Sequence, residues 1–445
     1  MAPRPMSEVE AAAALSSAAR FGINPSLGTI TALAAALGDP QRSYRVIQVA
    51  GTNGKGSTAR MTDALLRAHG RRAGVFVSPH LHTMCEHIEV DGAPVTGELF
   101  GAAVSAAVDA ASSVPSAVPE PPTQFELLTA AALWAFREAG VAWAVLEVGM
   151  GGRWDSTSVT EPDVAVVTSV GLDHTEHLGS TVERIAWDKA HVIRAGRIAV
   201  LGPGTAAVHA VFAERAAEVG ARLVRVRANA DAGDGDARYV VTREMRSPDG
   251  VTVIDYDGPA GHLRALEIPG PRYQAENAAC ALTAVAIALG TALDPSATRE
   301  ALATLRIAGR FEVLARAPWL VADVAHNAGG AAVLAEAVRS AFGGRRLAVV
   351  VGMLSDKDSR AVAATLAPLA SRFFVARPNS PRGLDTAVLA FNVADVADVP
   401  VVECDSVAGA IARARELGGD VLVTGSVVTV AEARVALGLY PPAKE

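Results

Sequence analysis

Short apolar, β-branched runs alternate along this chain with stretches of helical period, the pattern of a mostly parallel sheet with helices packed on it. In the first two-thirds the runs fall at residues 46–50, 73–77, 144–148, 163–169 and 197–201. Helical stretches separate them: residues 27–37, stopped by Gly38-Asp39-Pro40, then ARMTDALLRAHG, then TQFELLTAAALWAFREAG. In the last of these Phe125, Leu128, Leu133 and Phe136 fall largely on one stripe, which core packing explains for all but Phe125. The Ala-, Ser- and Pro-rich residues 105–122 read as a helix end followed by a flexible loop. From 224 to 266 the pattern changes to short alternating strands with DAGDGDAR and SPDG turns, as in a small antiparallel appendage. Beyond 306, strands at 320–324, 347–351, 372–376, 400–402 and 421–424 alternate with helices again.

A chain of 445 residues exceeds one ordinary core. The expected division is therefore 1–306 and 307–445. The fold class is α/β: a larger N-terminal domain with a mostly parallel sheet and the appendage, then a smaller Rossmann-like α/β domain. Half the residues are hydrophobic, which is ample for two cores. A net charge of −7 without a long basic run gives no electrostatic reason to expect nucleic acid. No uninterrupted apolar stretch reaches the length of a membrane span, and Glu8 and Glu10 interrupt any apolar leader. Cys85, Cys280 and Cys404 are odd in number and far apart, suggesting neither a disulfide framework nor a CxxC metal site. A protein of the reducing cytoplasm fits these facts.

The chemistry concentrates where the first run ends. RVIQVAGTNGKGST passes from a strand into Gly51, Thr52, Asn53, Gly54, Lys55, Gly56, Ser57 and Thr58, and then into a helix. Small residues let backbone amides approach phosphate oxygens, the helix start adds positive partial charge, and the lysine neutralises the β/γ end. The loop reads as a nucleotide cradle and makes this a P-loop-type domain. It departs from GxxxxGK[ST], because Val49 replaces the first glycine and Gly56 follows the lysine.

Further candidates sit at later strand ends, where ligands of open α/β sheets collect. Ser78, in SPHL, is a turn former or a hydroxyl ligand for Mg2+. Glu147 is a lone carboxylate in an apolar strand; a metal is the economical reason for a charge there. His174 follows the strand at 163–169 and is a candidate ligand of the same ions, whereas His177 is left as a solvated side chain.

The order and wording of these motifs resemble the amide-forming ligases that include folylpolyglutamate synthase, dihydrofolate synthase and the Mur ligases, from about residue 21 to 435. The resemblance implies ATP with two Mg2+ ions as cofactors, a pteroate or folate and L-glutamate as substrates, and a monomer. It implies Phe125 and Asp155 at the pterin end, and Lys189, in KAxxI, as a carbamylated lysine assisting the metal. A neutral buried amine could add carbon dioxide and turn a cation into an anion that complements Mg2+. Asn277, otherwise a helix cap, is implied at the nucleotide base. Arg310, in a PGR[LF]E-like hinge, would clamp phosphates. Asp323 and His326, in DVAHN, and Asp356, in SDKD, supply the C-terminal cluster, joined by Thr424-Gly425-Ser426. In that cluster Asp323 serves the nucleotide, while His326 and Asp356 serve the amino acid, so that catalysis needs domain closure. Departures occur at His87, Ser158, Tyr273 and Ala328, where the family has arginine, asparagine, histidine and proline. They keep open a related ligase acting on a non-folate acid, and, further off, an ATP-gated regulatory module.

Overall fold

The computed structural model describes residues 4–113, 121–228 and 236–440. The loop expected within 105–122 thus falls, over 114–120, outside the described residues, as does most of the DAGDGDAR turn. The chain divides into two compact units. One comprises residues 1–240, 254–266 and 276–305; the other comprises 241–253, 267–275 and 306–445. The chain therefore visits the second unit twice before the boundary near 306. Packing accounts for this: Met245 is 1 % exposed in a core with Phe311, Leu334 and Val338, and Tyr273 packs against the same core.

Among the described residues eleven strands form the first sheet: β1 (Arg45–Ala50), β2 (Ala73–Phe76), β3 (Ile88–Val90), β4 (Ala93–Pro94), β5 (Trp143–Glu147), β6 (Val164–Ser169), β7 (Ile198–Gly204), β8 (Arg222–Ala228), β9 (Ala237–Arg243), β10 (Val251–Gly258) and β11 (Gly261–Pro269). Their order is β11-β10-β9-β8-β7-β6-β1-β5-β2-β3-β4. β1 lies between β5 and β6, parallel to both, with Val49 opposite Glu147 and Ala50 opposite Val167. Their C-terminal ends converge where the chain leaves β1, at the point where strand order reverses and α/β sheets hold ligands. β1 and β5 are buried almost throughout, as strands covered on both faces must be.

The helix Gln124–Glu138 opens on a reciprocal cap, with Thr123 and Glu126 each satisfying the other's backbone amide. Its expected stripe enters the core beside Ile30, Leu33 and Phe100, with Phe125 at the margin. The expected appendage lies at one end of the sheet as β9, β10 and β11. β8, which the pattern grouped with it, pairs parallel with both β7 and β9 and so extends the parallel series. β10 and β11 are joined by Pro259 and Ala260 alone, a connection too short for a parallel crossover.

The second unit holds β12 (Glu312–Ala315), β13 (Leu320–Ala322), β14 (Leu347–Val351), β15 (Ala370–Ala376), β16 (Val401–Cys404) and β17 (Val421–Thr424). They lie in the order β12-β13-β17-β14-β15-β16. All pairs are parallel except β12–β13, and β12 is an edge strand that the alternation pattern did not reveal. Among the described residues no helix is long and apolar enough to cross a membrane. The three cysteines are free and buried.

Candidate active site

The glycine loop is shaped by β6. Thr52 N donates to Ser169 O at 2.9 Å, and Asn53 N to Ser169 Oγ at 3.0 Å. Asn53 O accepts from Thr168 Oγ1 at 2.7 Å. Glycine is required twice. Gly51 has φ +150° and a Cβ there would lie 2.0 Å from Thr168 Oγ1; Gly54 has φ +86° and its Cβ would lie 2.4 Å from Asn277 Oδ1. Asn277 thus reaches the loop, where Thr58 Oγ1 also approaches it at 3.4 Å. Gly54 gives the helix Lys55–Ala68 no side-chain cap, so the positive end of its dipole faces the loop. Lys55 folds back with Nζ 3.2 Å from Thr52 O.

Glu147, 4 % exposed at the end of β5, accepts from Ser78 N at 2.9 Å. A Cβ on Gly56 would come within 3.1 Å of its Oε2, so the carboxylate borders the first turn of the loop helix. Lys189, also 4 % exposed, donates from Nζ to Gly51 O at 2.9 Å. Burial, and then the charge of Lys55, push its pKa down to about 7, against the upward pull of Asp188, Asp173 and Asp155. His174 stands at φ 50° with Nε2 3.9 Å from Asp173 Oδ1, and its side chain is 40 % exposed. Among the described residues no three His, Cys, Asp or Glu side chains gather as a metal cluster. One buried carboxylate, a nearby serine and a lysine able to shed its proton suit Mg2+, which takes much of its shell from phosphate and water.

Phe125 meets the strand-end turn: a Cβ on Gly149 would lie 2.6 Å from its ring, and its centroid is 5.7 Å from that of Phe76. Asp155, expected at the substrate, is spent on its own loop. Its Oδ1 accepts from Thr157 N and Oγ1 at 3.0 and 2.5 Å, and its Oδ2 from Met150 N at 3.0 Å. Ser158, where the resemblance implies asparagine, donates to Gly152 O at 2.6 Å and accepts from Gln48 Nε2 at 3.0 Å. His87, where the resemblance implies arginine, is buried. Its Nδ1 donates to Val77 O at 2.7 Å, so its Nε2 accepts from His80 Nδ1 at 2.8 Å. Burial, reinforced by the neighbouring His80, pushes its pKa down to about 4.

In the second unit, Asp323 is a junction. Its Oδ2 accepts from Tyr273 Oη and Phe311 N, both at 2.8 Å, and its Oδ1 from Ala325 N at 2.9 Å. Burial raises its pKa while the Arg310 guanidinium opposes the rise. His326 donates from Nδ1 to Val324 O at 2.9 Å. Asn327 caps the helix Ala328–Phe342 through Gly330 N at 2.7 Å, which places Ala328 at a first helical position where proline is also at home. Gly425 N donates to Ala325 O at 3.1 Å, bringing the Thr424-Gly425-Ser426 turn to the same strand ends. Asp356 pairs with Arg382 at 2.6 Å and has Lys357 Nζ at 3.8 Å.

Sequence reasoning missed Thr168, Ser169, Tyr273's bond to Asp323, Arg382 and Gln48. Only Gln48 carried a signal, as an amide inside an apolar strand; it is 0 % exposed.

Two family models match the chain: the Mur ligase middle domain over residues 49–285, and the glutamate ligase domain of Mur ligases over 309–427. The dihydrofolate synthase/folylpolyglutamate synthase of Mycobacterium tuberculosis is 36% identical across 94% of this chain and 91% of its own length. The solved structure of Mycobacterium tuberculosis folylpolyglutamate synthase complexed with ADP superposes with a TM-score of 0.89 at 35% identity, covering 98% of this chain and 99% of that one. The Yersinia pestis bifunctional folylpolyglutamate synthase/dihydrofolate synthase, complexed with AMPPNP and a Mn ion, gives 0.84 at 30% identity, covering 98% and 100%. With both domains matched and nearly the whole length aligned, this chain belongs to the folylpolyglutamate synthase/dihydrofolate synthase family of Mur ligases.

Proposed function

We propose that the protein is an ATP-dependent ligase that joins a folate-type carboxylate, dihydropteroate or a folyl-glutamate, to the amino group of L-glutamate. The acceptor carboxylate attacks the γ-phosphorus and ADP leaves; the amine then attacks the acyl phosphate and expels phosphate. A carboxylate is a poor electrophile at neutral pH, and phosphorylation supplies its leaving group. One observation carries this reading: a glycine loop with Lys55 at an uncapped helix start, bordered by buried Glu147 and buried Lys189.

In this reading the loop amides and Lys55 hold the β- and γ-phosphates, and Asn277 borders the nucleotide. Arg310 stabilises charge on the transferred group, while Asp323 fixes the hinge beside it. Bound Mg2+ would neutralise charge on the transferring phosphoryl group, and Glu147, Ser78, His174 and a carbamylated Lys189 are the residues that would hold it. Lys189 is suited to that modification, since an amine whose pKa is lowered to about 7 is neutral about half of the time at neutral pH and can add CO2 with loss of one proton. Phe125 offers a ring to the pterin, and Asp155 keeps the adjoining loop in shape. His326 orients the amino acid. Asp356, flanked by Arg382 and Lys357, suits a molecule with one ammonium and two carboxylates. A cytoplasmic location accords with three free, buried cysteines, and a monomer is what the family resemblance implies.

The test is ADP release with glutamate and a panel of acids. Turnover with dihydropteroate or tetrahydrofolate is expected; turnover confined to a non-folate acid would overturn the assignment.

A further inference from the structure

Gln48 is the polar exception in β1. It is 0 % exposed, and its neighbours in the sheet are Leu146 on β5 and Ala165 on β6. Its Nε2 donates to Thr157 Oγ1 at 2.9 Å and to Ser158 Oγ at 3.0 Å. Both hydroxyls have already committed their own protons, Thr157 Oγ1 to Asp155 Oδ1 at 2.5 Å and Ser158 Oγ to Gly152 O at 2.6 Å. Each can therefore only accept, and one neutral amide nitrogen supplies both donors. The amide's orientation is thereby fixed, and among the described residues Gln48 Oε1 is buried with no hydrogen-bond partner.

An orphaned buried carbonyl is unfavourable, and an apolar side chain between Leu146 and Ala165 would avoid it. A polar group kept against that penalty points to a task other than stability. Its bonds indicate the task. Thr157 and Ser158 belong to the turn after β5, which Asp155 holds together by accepting from Thr157 N and Met150 N, both at 3.0 Å. The start of that turn, Gly149, lies against the Phe125 ring. Gln48 itself stands three residues before Gly51, where β1 opens into the phosphate loop. One side chain thus joins the strand that aims the nucleotide loop to the turn that borders the ring.

We infer that Gln48 is a positioning residue: it fastens the turn that bounds the acceptor to the strand that carries the phosphate loop, and so holds the acceptor carboxylate in reach of the γ-phosphate. The inference rests on the folate-ligase reading, in which the acceptor's ring lies against Phe125. Buried as it is, Gln48 meets neither substrate. It acts through Thr157 and Ser158, so its loss should be felt by the acceptor rather than by ATP.

The experiment compares wild type with Gln48→Met, which keeps the length of the side chain and removes its donors, and with Ser158→Ala, which removes one of its two acceptors should the first variant fold poorly. Loss of both bonds should raise the acceptor KM about tenfold while the KM for ATP changes less than about twofold. Hydrogen exchange at the Met150 and Thr157 amides should quicken about tenfold, with the Thr52 amide, held by β6, unchanged. In a Thr157→Val/Ser158→Ala background, Gln48→Met should add less than about twofold to the acceptor KM, because the groups it acts through are gone. Unchanged acceptor KM, an equal rise for ATP, or the full rise again in the double-variant background would overturn the positioning role. Wild type that ligates no folate-type acid would overturn the folate reading instead; quickened exchange of the two amides would still support the fastening, and unchanged exchange would sink it.

Discussion

Lys55 is held against Thr52 O, a bond that a phosphate oxygen would replace with a stronger, charge-assisted one. Lys55→Met should therefore lower turnover about a thousandfold while leaving the thermal midpoint within a few degrees; near-normal ADP release by the folded variant would remove the lysine from phosphoryl transfer. His87 yields a pH prediction. Its folded pKa, about 4, lies below the ordinary value of 6.5, so between those values the unfolded chain binds the extra proton. Stability from this site is complete above about pH 6.5 and declines as pH falls toward 4. Urea unfolding of wild type and His87→Gln across that window should differ in slope, by up to about 3 kcal/mol over the full span. Lys55 and Glu147 were legible in the sequence because charge in an apolar or glycine-rich setting needs a cause. Thr168 and Ser169 were not, since hydroxyls at a strand end look alike whether they shape a neighbouring loop or face water.

At the scale of elements, the strand–loop–helix unit was readable because glycine spacing reports backbone conformation directly. Gly54→Ala would set a Cβ 2.4 Å from Asn277 Oδ1 at φ +86°, so the variant should lose the thermal stabilisation that ATP with Mg2+ gives the wild type. That gain is about 2.7 kcal/mol at a hundredfold excess over Kd, and an unchanged midpoint shift would contradict the reading. The segment after residue 306 was readable only in part. RIAGRFEVL marked its position, but Phe311 adopts φ 48°, a costly conformation for a bulky side chain, while its amide is held by Asp323, which also binds Tyr273. A one-dimensional pattern does not announce a bond across 50 residues. Tyr273→Phe leaves the buried carboxylate one donor short and should cost about 1–3 kcal/mol in urea unfolding; a neutral outcome would mean that Phe311 and Asp323 are held by other contacts.

For the whole molecule, alternating strands and helices disclosed two α/β units, yet the interleaving of the chain between them escaped notice because residues 241–253 read as more of the same strands and 267–275 as the lead into the next helix. What assigns those segments is tertiary: Met245 sits in the second core, and its carbonyl accepts from Ser340 Oγ at 2.6 Å. A fragment of residues 306–445 would lack both Met245 and Tyr273, so it should unfold with a shallow transition, or bind a hydrophobic dye, unless 241–253 and 267–275 are supplied with it. A steep, fully cooperative transition from the bare fragment would refute this. The same threading bears on ancestry: exchange of the C-terminal unit between relatives by one crossover near residue 306 would pair the loops of one lineage with the core of another, so the two halves are constrained to diverge together.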